Sequence, residues 1–284
     1  MPRTRRTTAL IVMPVLFAAW VILFLFPTRT DQLWGWTIRP TMSAITMGAG
    51  YLGGVWFFAR VAQASDSHQV AGGLLAATVF TTLLGLATIL HWGKFNHDHV
   101  SFWTWAFLYF VAPPFLLVLF LANRPTSSTA AGGVLIPLWA ARLLGGIGAF
   151  QVTAALVWFA DPAAFSGRTP WALTPLTSRS LASFVAFTGA FLAWALVDRR
   201  FTALQAGVEA VTVGLVVTGI GAFVARDDFT GPAYARLGYV AGLASILAAL
   251  VALQVGMRRA GGAGPGGDQA PSEGLQTPTA PTAA

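Results

Sequence analysis

Residues 102–123 read FWTWAFLYFVAPPFLLVLFLAN, a run without one charged side chain. At about 1.5 Å per residue, a helix of that length crosses the roughly 30 Å of hydrocarbon in a bilayer. Working outward, comparable apolar runs of roughly 19 to 25 residues occupy 8–26, 41–63, 69–91, 136–159, 176–197, 203–225 and 232–256. Backbone N–H and C=O groups find no water in lipid, so chains cross it as helices or closed barrels. The pattern therefore predicts an all-α, polytopic transmembrane helical bundle of about eight spans.

Composition agrees with that solvent. Of the 284 residues 56% are hydrophobic and only 10% charged, against about 25% charged in a soluble domain. The net charge of +7 sits mostly at span ends, where arginines anchor helices and meet anionic headgroups. No basic stripe dense enough for nucleic acid exists, so nucleic acid is excluded as a partner and the lipid bilayer takes its place. The absence of cysteine excludes disulfide scaffolds, thiolate zinc sites, iron–sulfur clusters and thiol catalysis. The basic start (Arg3, Arg5, Arg6) followed by an apolar run resembles a signal peptide. The run is too long for one and lacks a small-x-small cleavage site, so it reads as a retained first span.

An even number of spans puts both ends on one side. That side carries Arg3, Arg5, Arg6, Arg60, Arg124, Arg199, Arg200, Arg258 and Arg259; the other has Arg29, Arg39, Lys94, Arg168, Arg179, Arg226 and Arg236 with most of the acids. The excess of Lys and Arg places both termini in the cytoplasm, in a bacterial plasma membrane. The transmembrane domain covers 1–259. Residues 260–284, rich in Gly, Pro, Ala and Thr, are expected to form a disordered cytoplasmic tail. A second linker-like stretch, 123–133, falls midway and marks two halves, 1–125 and 134–259. Laying Pro27 on Pro162 also brings Trp36 onto Trp171, Pro40 onto Pro175, Ser43 onto Ser178 and Gly54 onto Gly189. All fall at matching topological points, which suggests a 4+4 parallel repeat.

Helices in lipid approach closely through small residues. Gly50/Gly54, Gly145/Ala149, Gly214/Thr218 and Gly238/Gly242 are the candidate seams. Pro113 and Pro114 remove two backbone donors mid-span, so a kink, and a candidate hinge, is expected there.

Three groups of residues could carry chemistry. Ionisable groups inside spans are costly, which singles out Glu209 and Arg142, at similar depth in their spans and able to pair, or with Arg142 reaching the interface instead. The outer loop His91-Trp-Gly-Lys-Phe-Asn-His-Asp-His99 holds His91, His97, Asp98 and His99, ligand types suited to zinc or copper(II). A metal ion there is the only cofactor the chain suggests; the alternative is a polar interfacial turn. Arg179, with Arg39 and Arg236, faces Asp227 and Asp228 in topology, as an anion site or as loop-capping ion pairs. Seven tryptophans (Trp34, Trp36, Trp92, Trp103, Trp105, Trp158, Trp171) gather towards the outer face, where interfacial anchoring explains most of them; an aromatic-lined groove is the alternative. There is no nucleophile elbow, Walker loop or His-Glu-x-x-His motif.

The stretches Trp36–Ser43, His91–Phe95, Trp105–Pro114 and Trp171–Arg179 resemble multi-pass membrane proteins of GC-rich bacteria. The resemblance covers most of spans one to six and carries no activity or site residues with it. Three functions are expected in turn: a transporter or permease-like protein using Glu209, an outer-face enzyme or lipid-handling protein using the histidine loop, and an accessory subunit packed against another membrane subunit or a second copy.

Overall fold

The computed structural model describes residues 2–122 and 134–262; the 123–133 linker and the tail from 263 onward lie outside them. Among the described residues eight helices are long and apolar enough to cross a membrane. They are α1 (Pro2–Trp20, continued by a π-helical turn Val21–Leu25), α3 (Thr41–Gln63), α4 (His68–Leu90), α5 (Val100–Ala122), α6 (Leu138–Ala160), α7 (Pro175–Ala193), α8 (Phe201–Val224) and α9 (Ala233–Gly262). A short α2 (Thr30–Leu33) follows the first span. The side where α1 begins and α9 ends is called proximal, and the opposite side distal. The fold is all-α, with one isolated antiparallel bridge among the described residues, Leu135 to Arg200, at the proximal side.

The helices form two tiers. Inside, α3 packs on α8, α4 packs on α7, and α4 and α8 meet between them. Outside, α1 leans on α3, α5 on α4, α6 on α7 and α9 on α8. Burial follows that order: 61% of the α3 span and 56% of α4 lie inside the bundle, but only 11% of α9.

Glycine decides where backbones touch. A Cβ on Gly53 of α3 would stand 2.7 Å from the Ala210 carbonyl oxygen of α8. One on Gly189 of α7 would stand 2.8 Å from both the Gly148 oxygen and the Val152 nitrogen of α6. Real Cβ atoms do not approach that closely, so these two seams require glycine. The expected Gly50/Gly54 pair serves two neighbours, Phe184 and Leu16. Gly145 meets Leu196, and Gly214 meets the Ala49 backbone. No Gly238/Gly242 seam forms among the described residues: a Cβ built on either glycine would meet none of their atoms within 4 Å. The reason is rotational, since α9 turns Tyr239, Leu250, Leu253 and Met257 inward and leaves those glycines outside.

Helix α5 continues through Pro113 and Pro114 from Val100 to Ala122 without a break. Pro113 cannot bond the Tyr109 carbonyl one turn earlier. Gly85 of α4 stands against that carbonyl, at 2.7 Å from a would-be Cβ, so the freed oxygen is covered by a neighbouring backbone instead of facing lipid.

Candidate functional site

Glu209 lies eight residues into α8, about 12 Å from its proximal start at the usual helical rise. Its carboxylate is 9% exposed and meets four donors from three helices. Trp56 Nε1 of α3 donates at 3.1 Å and Gln205 Nε2, one turn earlier on α8, at 2.9 Å. Arg60 Nε of α3 stands at 3.1 Å, and Arg258 Nη2 of α9 at 3.6 Å. A second rung lies beside it, where Gln254 of α9 donates to Thr212 of α8 at 2.9 Å. A carboxylate at this depth persists because each oxygen is matched by a charge-assisted or neutral donor. The acid and its two arginines together carry one net positive charge.

The Glu209 partners differ from the sequence expectation. Arg142 is exposed on α6 and forms no ion pair among the described residues; α6 packs on α7 rather than α8, so it cannot reach Glu209. Arg60, Arg258, Trp56, Gln205 and Gln254 were not singled out as site residues. Their signal was present as i, i+4 pairs, Trp56/Arg60, Gln205/Glu209 and Gln254/Arg258, each near a proximal span end.

On the distal side the arginines and acids serve helix ends. Arg179 donates from Nε to the Phe159 carbonyl at 2.9 Å and from Nη2 to that of Ala160 at 3.4 Å. Those are the last two residues of α6, whose end leaves carbonyls unpaired. Asp228 Oδ2 accepts from Met42 N at 2.6 Å and so caps the first turn of α3 from the α8–α9 connection. Asp227 is fully exposed and 4.0 Å from Arg226. Among the described residues, Arg179 and Asp228 thus bond to helix ends.

The histidine loop does not converge. His91 Nε2 faces Arg179 Nη1 at 2.8 Å, so the ring is the acceptor and neutral. His99 uses both nitrogens, on Ser101 Oγ at 2.6 Å and on the Gln32 carbonyl at 2.7 Å. His97 packs its ring on Trp92 and Phe102, and Asp98 is exposed. Among the described residues no three such side chains are grouped to hold a metal ion.

His91 carries a pH consequence. Burial, then Arg179 and Lys94, push its pKa below the ordinary 6.5. The unfolded chain therefore takes up the proton first, and stability is full above 6.5 and lost as pH falls through the lowered value. Thermal unfolding at graded pH should show this loss below about 6.5, and His91→Asn, an acceptor that does not titrate, should flatten it.

Four of the seven distal tryptophans are buried rather than placed as interfacial anchors. Trp34, Trp36, Trp105 and Trp171 are at most 7% exposed. Trp36 and Trp105 rings sit 4.9 Å apart, with Trp34 and Phe95 alongside. Trp105 donates to Thr88 Oγ1 and Trp171 to Ser43 Oγ. Below them Tyr51 and Tyr109 hydroxyls share a buried bond of 2.8 Å. The distal mouth is thus filled by rings instead of lined by them. Trp92 and Trp103 remain exposed, at 41% and 55%, as interfacial anchoring requires.

No protein-family model, curated protein or solved structure matches the chain.

Proposed function

We propose that the chain is a permease-like transporter of a bacterial plasma membrane, with both termini in the cytoplasm and Glu209 as its coupling group. The observation that carries this reading is the Glu209 carboxylate. It is held by arginines of two other helices and lies on α8 where that helix packs against α3. Buried ionisable groups of this kind mark proton and ion pathways in membrane bundles. A proton arriving at Glu209 would release Arg60 and Arg258 together, loosening α3 and α9 from α8.

The pairing of spans supports two parallel halves. Exchanging α1 with α6, α3 with α7, α4 with α8 and α5 with α9 sends α1–α3 to α6–α7. It likewise sends α3–α8 to α7–α4, α4–α5 to α8–α9 and α3–α4 to α7–α8, while α3–α7 and α4–α8 map onto themselves. Each of the broad contacts between described spans has its counterpart under this exchange, whereas the buried Tyr51–Tyr109 contact of α3 with α5 has none. The starts Thr41, His68 and Val100 correspond to Pro175, Phe201 and Ala233, a near-constant offset. Gly54 faces the first span and Gly189 the fifth, its counterpart. The axis relating the halves would run along the membrane normal, as in parallel-repeat transporters. The α3–α8 seam carrying Glu209 then joins one half to the other.

Orientation follows from the basic residues, with the proximal side in the cytoplasm. Three distal cations, Arg39, Arg179 and Arg236, are spent on nearby carbonyls.

The test uses proteoliposomes with an imposed pH gradient and a pH-sensitive dye inside, screened against labelled small solutes. At least one solute should dissipate the gradient in the wild type but not in Glu209→Gln. Equal dissipation by both proteins, or none above empty vesicles for any solute, sinks the coupling role.

A further inference from the structure

Two connections cross the distal mouth as straps, and they repeat each other contact by contact. Trp36 lies on the strap between α1 and α3, and Trp171 on the strap between α6 and α7. Asn96 N donates to the Gly35 carbonyl at 2.7 Å, just before Trp36. Gly231 N donates to the Pro170 carbonyl at 2.9 Å, just before Trp171. The Trp36 ring packs on Phe95 at 5.1 Å and on Trp105 at 4.9 Å. The Trp171 ring packs on Phe229 at 5.3 Å and on Tyr239 at 5.2 Å. Phe95 and Phe229 precede α5 and α9, and Trp105 and Tyr239 stand in the second turns of those helices.

One bond breaks the match. Trp171 Nε1 donates at 2.9 Å to Ser43 Oγ, near the start of α3, and so ties the second half to the first. The equivalent pair is Trp36 with Ser178, near the start of α7, and it is not bonded. Trp36 Nε1 is buried without an acceptor, a desolvation cost that a bonded indole avoids. Ser178 is 3% exposed, and its hydroxyl bonds no described residue. By contrast, the Ser180 and Ser183 hydroxyls turn back to the Leu176 and Arg179 carbonyls of the same helix. A spare donor and a spare acceptor thus stand at matching addresses. The first strap also carries an extra ring, since Trp34 has Thr169 as its counterpart. That ring lies 5.9 Å from Trp36 and 6.2 Å from Tyr51.

We infer that Trp36 and Ser178 are a second distal latch between the halves, open in this structure and closed in another state of the bundle. The inference rests on the parallel-halves reading above and adds the regulation of the distal mouth. With both latches made, each half holds the strap of the other. With the second open, the first strap is held by the α4–α5 connection, through Asn96 and His99, and not by α7. Helix α3 links this gate to the buried carboxylate. It carries Ser43 at its distal start, and Trp56 and Arg60, which hold Glu209, near its proximal end.

The test is NMR relaxation dispersion of the indole N–H groups in full-length protein in detergent, which senses exchange on the microsecond-to-millisecond scale. Trp36→Phe and Trp171→Phe assign the two signals. Trp36 should show dispersion in the wild type and lose it in Ser178→Ala. That variant removes no bond of the present state, so it should melt with the wild type. Ser43→Ala removes a bond that is made. Its Trp171 signal should shift, and the indole proton should exchange with deuterium about fivefold faster, the ratio that one neutral hydrogen bond sets. A flat Trp36 profile in the wild type, or dispersion unchanged in Ser178→Ala, overturns the second latch. A Trp171 signal indifferent to Ser43→Ala strikes the matching of halves beneath it. Neither result bears on the dye assay of Glu209→Gln, so loss of the latch and loss of the coupling role are told apart.

Discussion

Glu209→Ala is expected to lower the unfolding free energy by about 3 kcal/mol, the lower end of the range for removing one partner of a buried ion pair. The lower end applies because Arg60 and Arg258 side chains are 34% and 66% exposed and recover some hydration when released. Trp56 and Gln205 also lose their acceptor. Glu209→Gln should cost less, because its amide oxygen still accepts from one of them. Arg258→Ala should cost under about 1 kcal/mol, as exposed pairs do. Thermal unfolding in detergent, followed by tryptophan fluorescence, ranks the three. If Glu209→Ala melts with the wild type, the carboxylate is not holding α3, α8 and α9 together.

The second large effect is expected at the α6–α7 seam. Gly148 and Gly189 face each other backbone to backbone, and the atoms a new Cβ would meet are main-chain atoms and the Gln151 Cβ, which no rotamer moves. No rotamer change relieves such a clash, so the helices must part along their length. Overpacking typically costs about 1–3 kcal/mol, and Gly189→Val belongs at or above the top of that range. Gly148→Val and Gly189→Val together should leave little folded protein after detergent extraction. Gly238→Ala and Gly242→Ala are the internal control. A Cβ on either would meet no described atom within 4 Å, and alanine is the better helix former by about 1 kcal/mol, so both should melt at or above wild type. Monodispersity on size exclusion together with the melting temperature separates these outcomes.

The spans were legible because hydropathy reports what surrounds a helix. The 41–63 stretch coincides with α3, and 102–123 falls within two residues of α5. Helix ends were less legible where hydrogen bonding continues past the apolar run. α1 begins at Pro2 and includes Arg3, Arg5 and Arg6, and α9 runs through Arg258 and Arg259 to Gly262. Glu209 stood out because a carboxylate inside a span is costly. Its partners did not, since Arg60 and Arg258 sit near span ends, where an arginine normally serves as a headgroup anchor. Which helices adjoin decides that question, and depth along each helix alone does not. For the same reason Trp34, Trp36, Trp105 and Trp171 read as a membrane belt. Indole suits the interface and the packed interior alike, and neighbours from four different segments place these four inside.

Asp228 on Met42 and Trp171 on Ser43 have a consequence for biosynthesis. Both contacts complete the distal start of α3 with groups translated more than a hundred residues later. While the ribosome is still making the sixth and seventh spans, the second span sits in the bilayer with its opening turn unfinished. Maturation therefore waits for the last third of the nascent chain, and a chain halted after the fourth span would remain an incomplete client of the insertion machinery.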